Sequence, residues 1–131
     1  MSRLALLQAV RGVVEANVPA GFVPARHYAG LECWAVPADR APRGRERSPL
    51  VVVGLGERKS YVALFLMGLY FSPEMRSWFD SAWRASGSPL QRGKIAVQLR
   101  DLDDVPLDVV ADAVAWLSVD DLIAAYERDR S

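Results

Sequence analysis

Gly93-Lys94-Ile95-Ala96-Val97-Gln98-Leu99-Arg100-Asp101-Leu102-Asp103-Asp104-Val105-Pro106-Leu107-Asp108-Val109-Val110-Ala111-Asp112-Ala113-Val114 holds a complete strand, an acidic turn and a helix start in one run. From Lys94 to Arg100 apolar and other residues alternate, with Ile95, Val97 and Leu99 on one side and Ala96 and Gln98 on the other, the pattern of a half-buried strand. The aspartates suit the turn that follows, because short acidic side chains form turns and favour the positive end of a helix dipole. Pro106 then opens a helix whose Leu107, Val110, Ala111, Val114 and Leu117 face inward. Beyond it, Ser118-Val119-Asp120-Asp121 resembles a capping box and starts a last short helix through Tyr126.

Working back toward the N-terminus, Ser72-Pro73-Glu74 is a helix start, with Ser as cap, Pro at the first helical position and an acid in the first turn. Met75, Trp78, Phe79, Ala82 and Trp83 form that helix's apolar face, and Gly87 stops it. Leu50–Val53 and Tyr61–Leu69 are runs of strand formers, and the intervening Gly54 to Lys59 reads as a hairpin connection, which implies antiparallel pairing. Tyr28–Val36 is a further strand, closed by Pro37. Ala38–Ser48 is an exposed, mobile loop carrying Arg40, Arg43, Arg45 and Arg47. Leu4, Leu6, Leu7, Val10, Val13, Val14 and Val18 recur at helical spacing, so residues 3–17 form an amphipathic helix that ends at Pro19-Ala20-Gly21. The order is α-β-β-β-α-β-α-α. It predicts a single α+β domain over residues 1–131 with an antiparallel sheet of about four strands.

Composition agrees with one ordinary domain. A chain of 131 residues, 51% hydrophobic and 24% charged, buries roughly two-thirds of its unfolded surface on folding. No apolar run approaches the roughly 18–20 residues of a membrane span, and Gln8, Arg11 and Glu15 interrupt the N-terminal run that a signal peptide would need. The lone cysteine, Cys33, has no internal disulfide partner, which fits a reducing, cytoplasmic setting. Net charge is zero but unevenly spread: residues 1–100 hold 14 Lys and Arg against 7 Asp and Glu, and residues 101–131 hold 2 against 9. Mutual neutralisation over one solvated surface is the simplest reading of that asymmetry.

Candidate chemistry is sparse. His27 is the only histidine, and no Gly-x-Ser-x-Gly elbow offers a nucleophile, so the sequence leans away from an enzyme. His27 and Cys33 have opposite strand parity and make a poor metal pair. Gly54-Leu55-Gly56 lacks the rest of a nucleotide-binding fingerprint. Lys59 and Lys94 open two strands and, if those starts are neighbours, could hold a small anion together with Tyr61 and Tyr70. Asp101, Asp103, Asp104 and Asp108, with Asp120 and Asp121, are the candidate ligands for a hard cation. The Arg-rich loop has no interleaved aromatics, which makes nucleic acid an unfavoured partner. The four tryptophans are read first as core.

Two segments carry a family resemblance. Gly56–Met67, with Lys59, Tyr61, Val62 and Leu64, and the C-terminal segment with Gly93, Lys94, Arg100, Leu102, Asp103, Asp104, Pro106, Leu107 and Asp108 resemble the YdhG-like bacterial domain-of-unknown-function family. The resemblance runs from about Leu31 to the C-terminus and implies a small α+β fold without implying a reaction. Some relatives are described as frataxin-like iron chaperones, so the resemblance brings in iron as a possible cargo on the surface carboxylates. The long Arg-rich insertion at Ala38–Ser48 departs from the family pattern. The expectation is a cytosolic, non-catalytic binding domain for a small ligand or a protein partner.

Overall fold

A computed structural model of the chain describes residues 2–26, 30–45 and 47–130. Helix α1 (Arg3–Asn17) is followed by strands β1 (Val23–Arg26), β2 (Glu32–Ala35), β3 (Val51–Glu57) and β4 (Val62–Leu66). A single helical turn α2 (Gly68–Phe71) leads into α3 (Pro73–Ala85), and then come β5 (Ala96–Leu99), α4 (Leu107–Val114) and α5 (Val119–Arg130). The five strands pair in chain order as one antiparallel sheet. The fold is α+β with one strand more than the expected four.

The extra strand is β1. Pro24 disguises it, since proline cannot donate to a ladder, but β1 lies at the sheet edge, where one side of the strand has no ladder to supply. The strand expected from Tyr28 begins only at Glu32, and His27, Tyr28 and Ala29 lie outside the described residues. Gly54-Leu55-Gly56 is part of β3 and not the expected connection; the hairpin turn is at residues 58–61, closed by the Arg58 amide donating to the Tyr61 carbonyl at 2.8 Å. Glycine is needed in this strand for close approach: a Cβ on Gly56 would lie 2.5 Å from Leu31 Cδ2. The run expected to continue as a strand to Leu69 stops at Leu66 and turns into α2. A side chain on Gly68 would collide with Met75 Sδ, so glycine there lets α2 close against α3.

The sheet register separates two faces. Trp34, Val53 and Leu66 align across β2, β3 and β4, as do Leu55, Leu64 and Val97 across β3, β4 and β5. They join one core with Leu6, Val10 and Val14 of α1, Met75, Phe79 and Trp83 of α3, and Val110 and Val114 of α4. Each such side chain, withdrawn from water, contributes about 1.5–3 kcal/mol. Cys33, Gly54, Phe65 and Ala96 align on the opposite face.

The Arg-rich segment is docked and not a free loop. Arg40 pairs with Asp120 of α5, Arg130 of α5 donates to the Arg43 carbonyl, and the guanidinium groups of Arg45 and Arg130 lie 5.6 and 5.5 Å from the Tyr126 ring centre. A basic insertion and an acidic helix thus meet, and part of the charge asymmetry is cancelled at this contact.

Candidate functional site

Helix α3 carries two stripes one residue out of phase. Met75, Phe79 and Trp83, spaced by four, are the buried stripe. Arg76, Asp80 and Arg84 repeat the same spacing one position on and border a cleft with a volume of about 610 Å³. Residues 91–96 supply the facing wall: the Gly93 amide donates to the Ala96 carbonyl at 2.8 Å, the Gln98 amide donates to the Gln91 carbonyl at 2.9 Å, and Arg92 and Lys94 reach the cleft from this turn. Tyr70 of α2 and the apolar Leu69 and Leu90 complete it.

The charges in the cleft are not equivalent. Arg92 Nε and Nη2 each donate to Asp80 at 2.7 Å, and the two side chains are 17% and 25% exposed. This paired, part-buried geometry uses both carboxylate oxygens. The hydrogen bonds from Arg92 hold the Asp80 carboxyl below its ordinary pKa against the opposing effect of burial, with the charges of Arg92, Arg84 and Arg76 adding to the lowering. The same hydrogen bonds raise the pKa of Arg92. Arg76 is oriented differently, its Nη1 donating to the Leu69 carbonyl at 2.9 Å and to the Tyr70 carbonyl at 3.1 Å. Among the described residues no carboxylate pairs with Arg76, Arg84 or Lys94. One cleft therefore presents three cations without a carboxylate in ion-pair contact, and a tyrosine.

Of the four residues expected to hold an anion, Tyr70 and Lys94 meet in this cleft and Lys59 and Tyr61 do not. Strands β4 and β5 are neighbours, but they run antiparallel, so the approaches to their starts lie at opposite ends of the ladder. The five residues of β4 span about 17 Å. Lys94 also precedes β5, in the turn, and does not open it. At the far end, Tyr61 lies under the Arg100 guanidinium at 5.4 Å, and Arg100 donates to the Ser60 carbonyl.

Asp101, Asp120 and Asp121 do local structural work. Asp101 caps the short 3-10 turn Leu102–Asp104 by accepting from the Asp103 amide at 3.1 Å, and Asp108 occupies the first turn of α4. Asp121 accepts from the Ser118 amide at 3.2 Å while Ser118 Oγ accepts from the Asp121 amide at 3.0 Å, the reciprocal capping box expected from sequence. Asp120 is held by Arg40. Among the described residues no group of three or more His, Cys, Asp or Glu is placed to hold a metal ion. Cys33 is buried, and burial, with a smaller contribution from Glu32, pushes its thiol pKa up. His27 lies outside the described residues.

Trp78 and Trp116 stack at 5.0 Å against the core, and Trp83 Nε1 donates to the Pro89 carbonyl at 2.9 Å, so these rings serve packing. Sequence reasoning missed Arg76, Asp80, Arg84 and Arg92. The Arg-x-x-x-Asp-x-x-x-Arg spacing beside the apolar stripe of α3 was the available signal for the first three.

No family model matches the chain, and no curated protein and no solved structure matches it. No helix of the described residues is long and apolar enough to cross a membrane.

Proposed function

We propose that this chain is a cytosolic, YdhG-like binding domain whose ligand is a small anion held between α3 and the turn before β5. The observation that carries this reading is the excess positive charge of Arg76, Arg84 and Lys94 in one cleft whose single carboxylate is already bonded to Arg92. A volume of about 610 Å³ falls within the size range of small-molecule sites. Binding is favoured over turnover because the one carboxylate there has a lowered pKa and both oxygens engaged, which makes it a poor proton acceptor. The free thiol of Cys33 suits a reducing compartment. The iron-chaperone reading gains no support from the aspartates: Asp101 and Asp121 cap a turn and a helix, and among the described residues no three His, Cys, Asp or Glu are grouped to hold a metal ion.

The test uses phosphate, sulfate and citrate as probes in thermal-shift and calorimetric titrations at low salt. A probe at a hundred times its dissociation constant should stabilise the wild type by about 2.7 kcal/mol, and the Arg84→Gln, Lys94→Gln double variant should lose most of that gain while folding normally. No shift with any of the three probes, or full retention in the double variant, would remove the cleft as an anion site.

A further inference from the structure

Tyr70 is an exposed aromatic on a well-bonded stretch of backbone. Its residue is 46% exposed and lines the cationic cleft, yet its backbone is secured from several sides. The Tyr70 amide donates to the Met67 carbonyl at 3.0 Å, and Arg76 Nη1 bonds the carbonyls of Leu69 and Tyr70. Gly68 lets this helical turn close on Met75, and the Phe71 ring meets the Tyr70 ring edge-on at 4.9 Å and 83°. Here the cation that bonds the Tyr70 carbonyl is one of those that would bind the anion, so the backbone that carries the ring is tied to that charge.

The geometry points to a planar heteroaromatic phosphate monoester, the class to which 5′-mononucleotides belong, as the ligand of this cleft. The inference rests on the anion-binding reading above and adds to it that Tyr70 is a stacking platform. The phosphate takes Arg84, Lys94 and the free edge of Arg76, and the ring lies on Tyr70 with Leu90 beside it. A phosphate dianion suits several convergent cations better than one. A base stacked on an aromatic side chain contributes affinity without sequence-like selectivity, because every base offers a π-face.

Calorimetric titration separates ring from charge with adenosine 5′-monophosphate, ribose 5-phosphate and adenosine as probes, against wild type, Tyr70→Ala and Tyr70→Phe. Wild type should bind the nucleotide about tenfold more tightly than ribose 5-phosphate, a factor that corresponds to about 1.4 kcal/mol and lies within the range of one base–aromatic stack. Tyr70→Ala should abolish that preference, bringing the nucleotide down to the affinity the same variant shows for ribose 5-phosphate, while Tyr70→Phe should keep it. Equal affinity for nucleotide and sugar phosphate in the wild type would overturn the stacking inference and leave the anion reading intact. A preference that survives in Tyr70→Ala would overturn Tyr70 as the platform. Adenosine binding as tightly as its monophosphate, or no binding of either phosphate, would overturn the anion reading itself.

Discussion

The cleft beside α3 and the acidic C-terminal third carry opposite excess charge and use it in opposite ways. In the C-terminal third, Asp101, Asp120 and Asp121 each meet a local need, a turn cap, an ion pair or a helix cap. In the cleft one carboxylate is consumed by Arg92, and three further cations have no carboxylate partner among the described residues. A count of charges along the chain weights both regions equally. Their difference lies in which charges the fold brings together without satisfying them, and that is a property of tertiary geometry.

The largest expected effect breaks the one strong pair. Asp80→Ala strands the part-buried Arg92 guanidinium and should lower stability at pH 7 by about 1.5–3 kcal/mol, the range for a charge-assisted hydrogen bond. Because the Asp80 pKa is lowered in the fold, its contribution is fully present above the unfolded carboxylate value of about 3.9 and is lost as pH falls through the folded value. Denaturation curves of wild type and variant should therefore converge in acid. The variant should also bind phosphate more tightly than wild type, since Arg92 is released to the cleft. A pH-independent difference between the two curves would mean that Asp80 acts by packing and not by charge.

Much of this architecture was legible in the sequence because amphipathic period and caps report local structure directly. Leu6, Val10 and Val14 of α1, Ser72 and Pro73 at the start of α3, and the Ser118–Asp121 box all stand where their spacing placed them. β1 was hidden by Pro24, whose tolerance depends on the strand being at an edge, and β3 was cut short by Gly54 and Gly56, the second of which makes room for Leu31. The candidate anion site was half legible: Tyr70 and Lys94 were picked out by residue type, but strand direction separates them from Lys59 and Tyr61. Arg92 belongs to the site only because a turn folds it back onto Asp80 twelve positions earlier, and no local pattern announces a contact of that kind.

The capping box gives the middle-sized effect and samples the acidic region. Ser118→Ala removes the acceptor for the Asp121 amide and should cost about 1 kcal/mol, the usual value of an N-cap, read as a shift in denaturant midpoint at unchanged slope. Anion titrations of this variant should match wild type, since Ser118 does not line the cleft. A loss of phosphate binding there would show that the two regions are coupled and would spoil the contrast drawn between them.

The smallest effect belongs to the contact that joins the basic insertion to the acidic helix. Arg40 and Asp120 are 49% and 81% exposed in their side chains, so their attraction acts through water and is screened by salt. A double-mutant cycle of Arg40→Ala and Asp120→Ala should return a coupling of about 0.2–1 kcal/mol that declines toward zero in molar salt. The insertion is held by more than this pair, because Arg130 bonds the Arg43 carbonyl and shares the Tyr126 ring with Arg45. Tyr126→Ala should therefore increase protease cleavage within residues 38–48 more than either single charge deletion does. The reverse order would make the ion pair the principal anchor, and the acidic region would then hold a charge contact as consequential as the Asp80–Arg92 pair in the cleft.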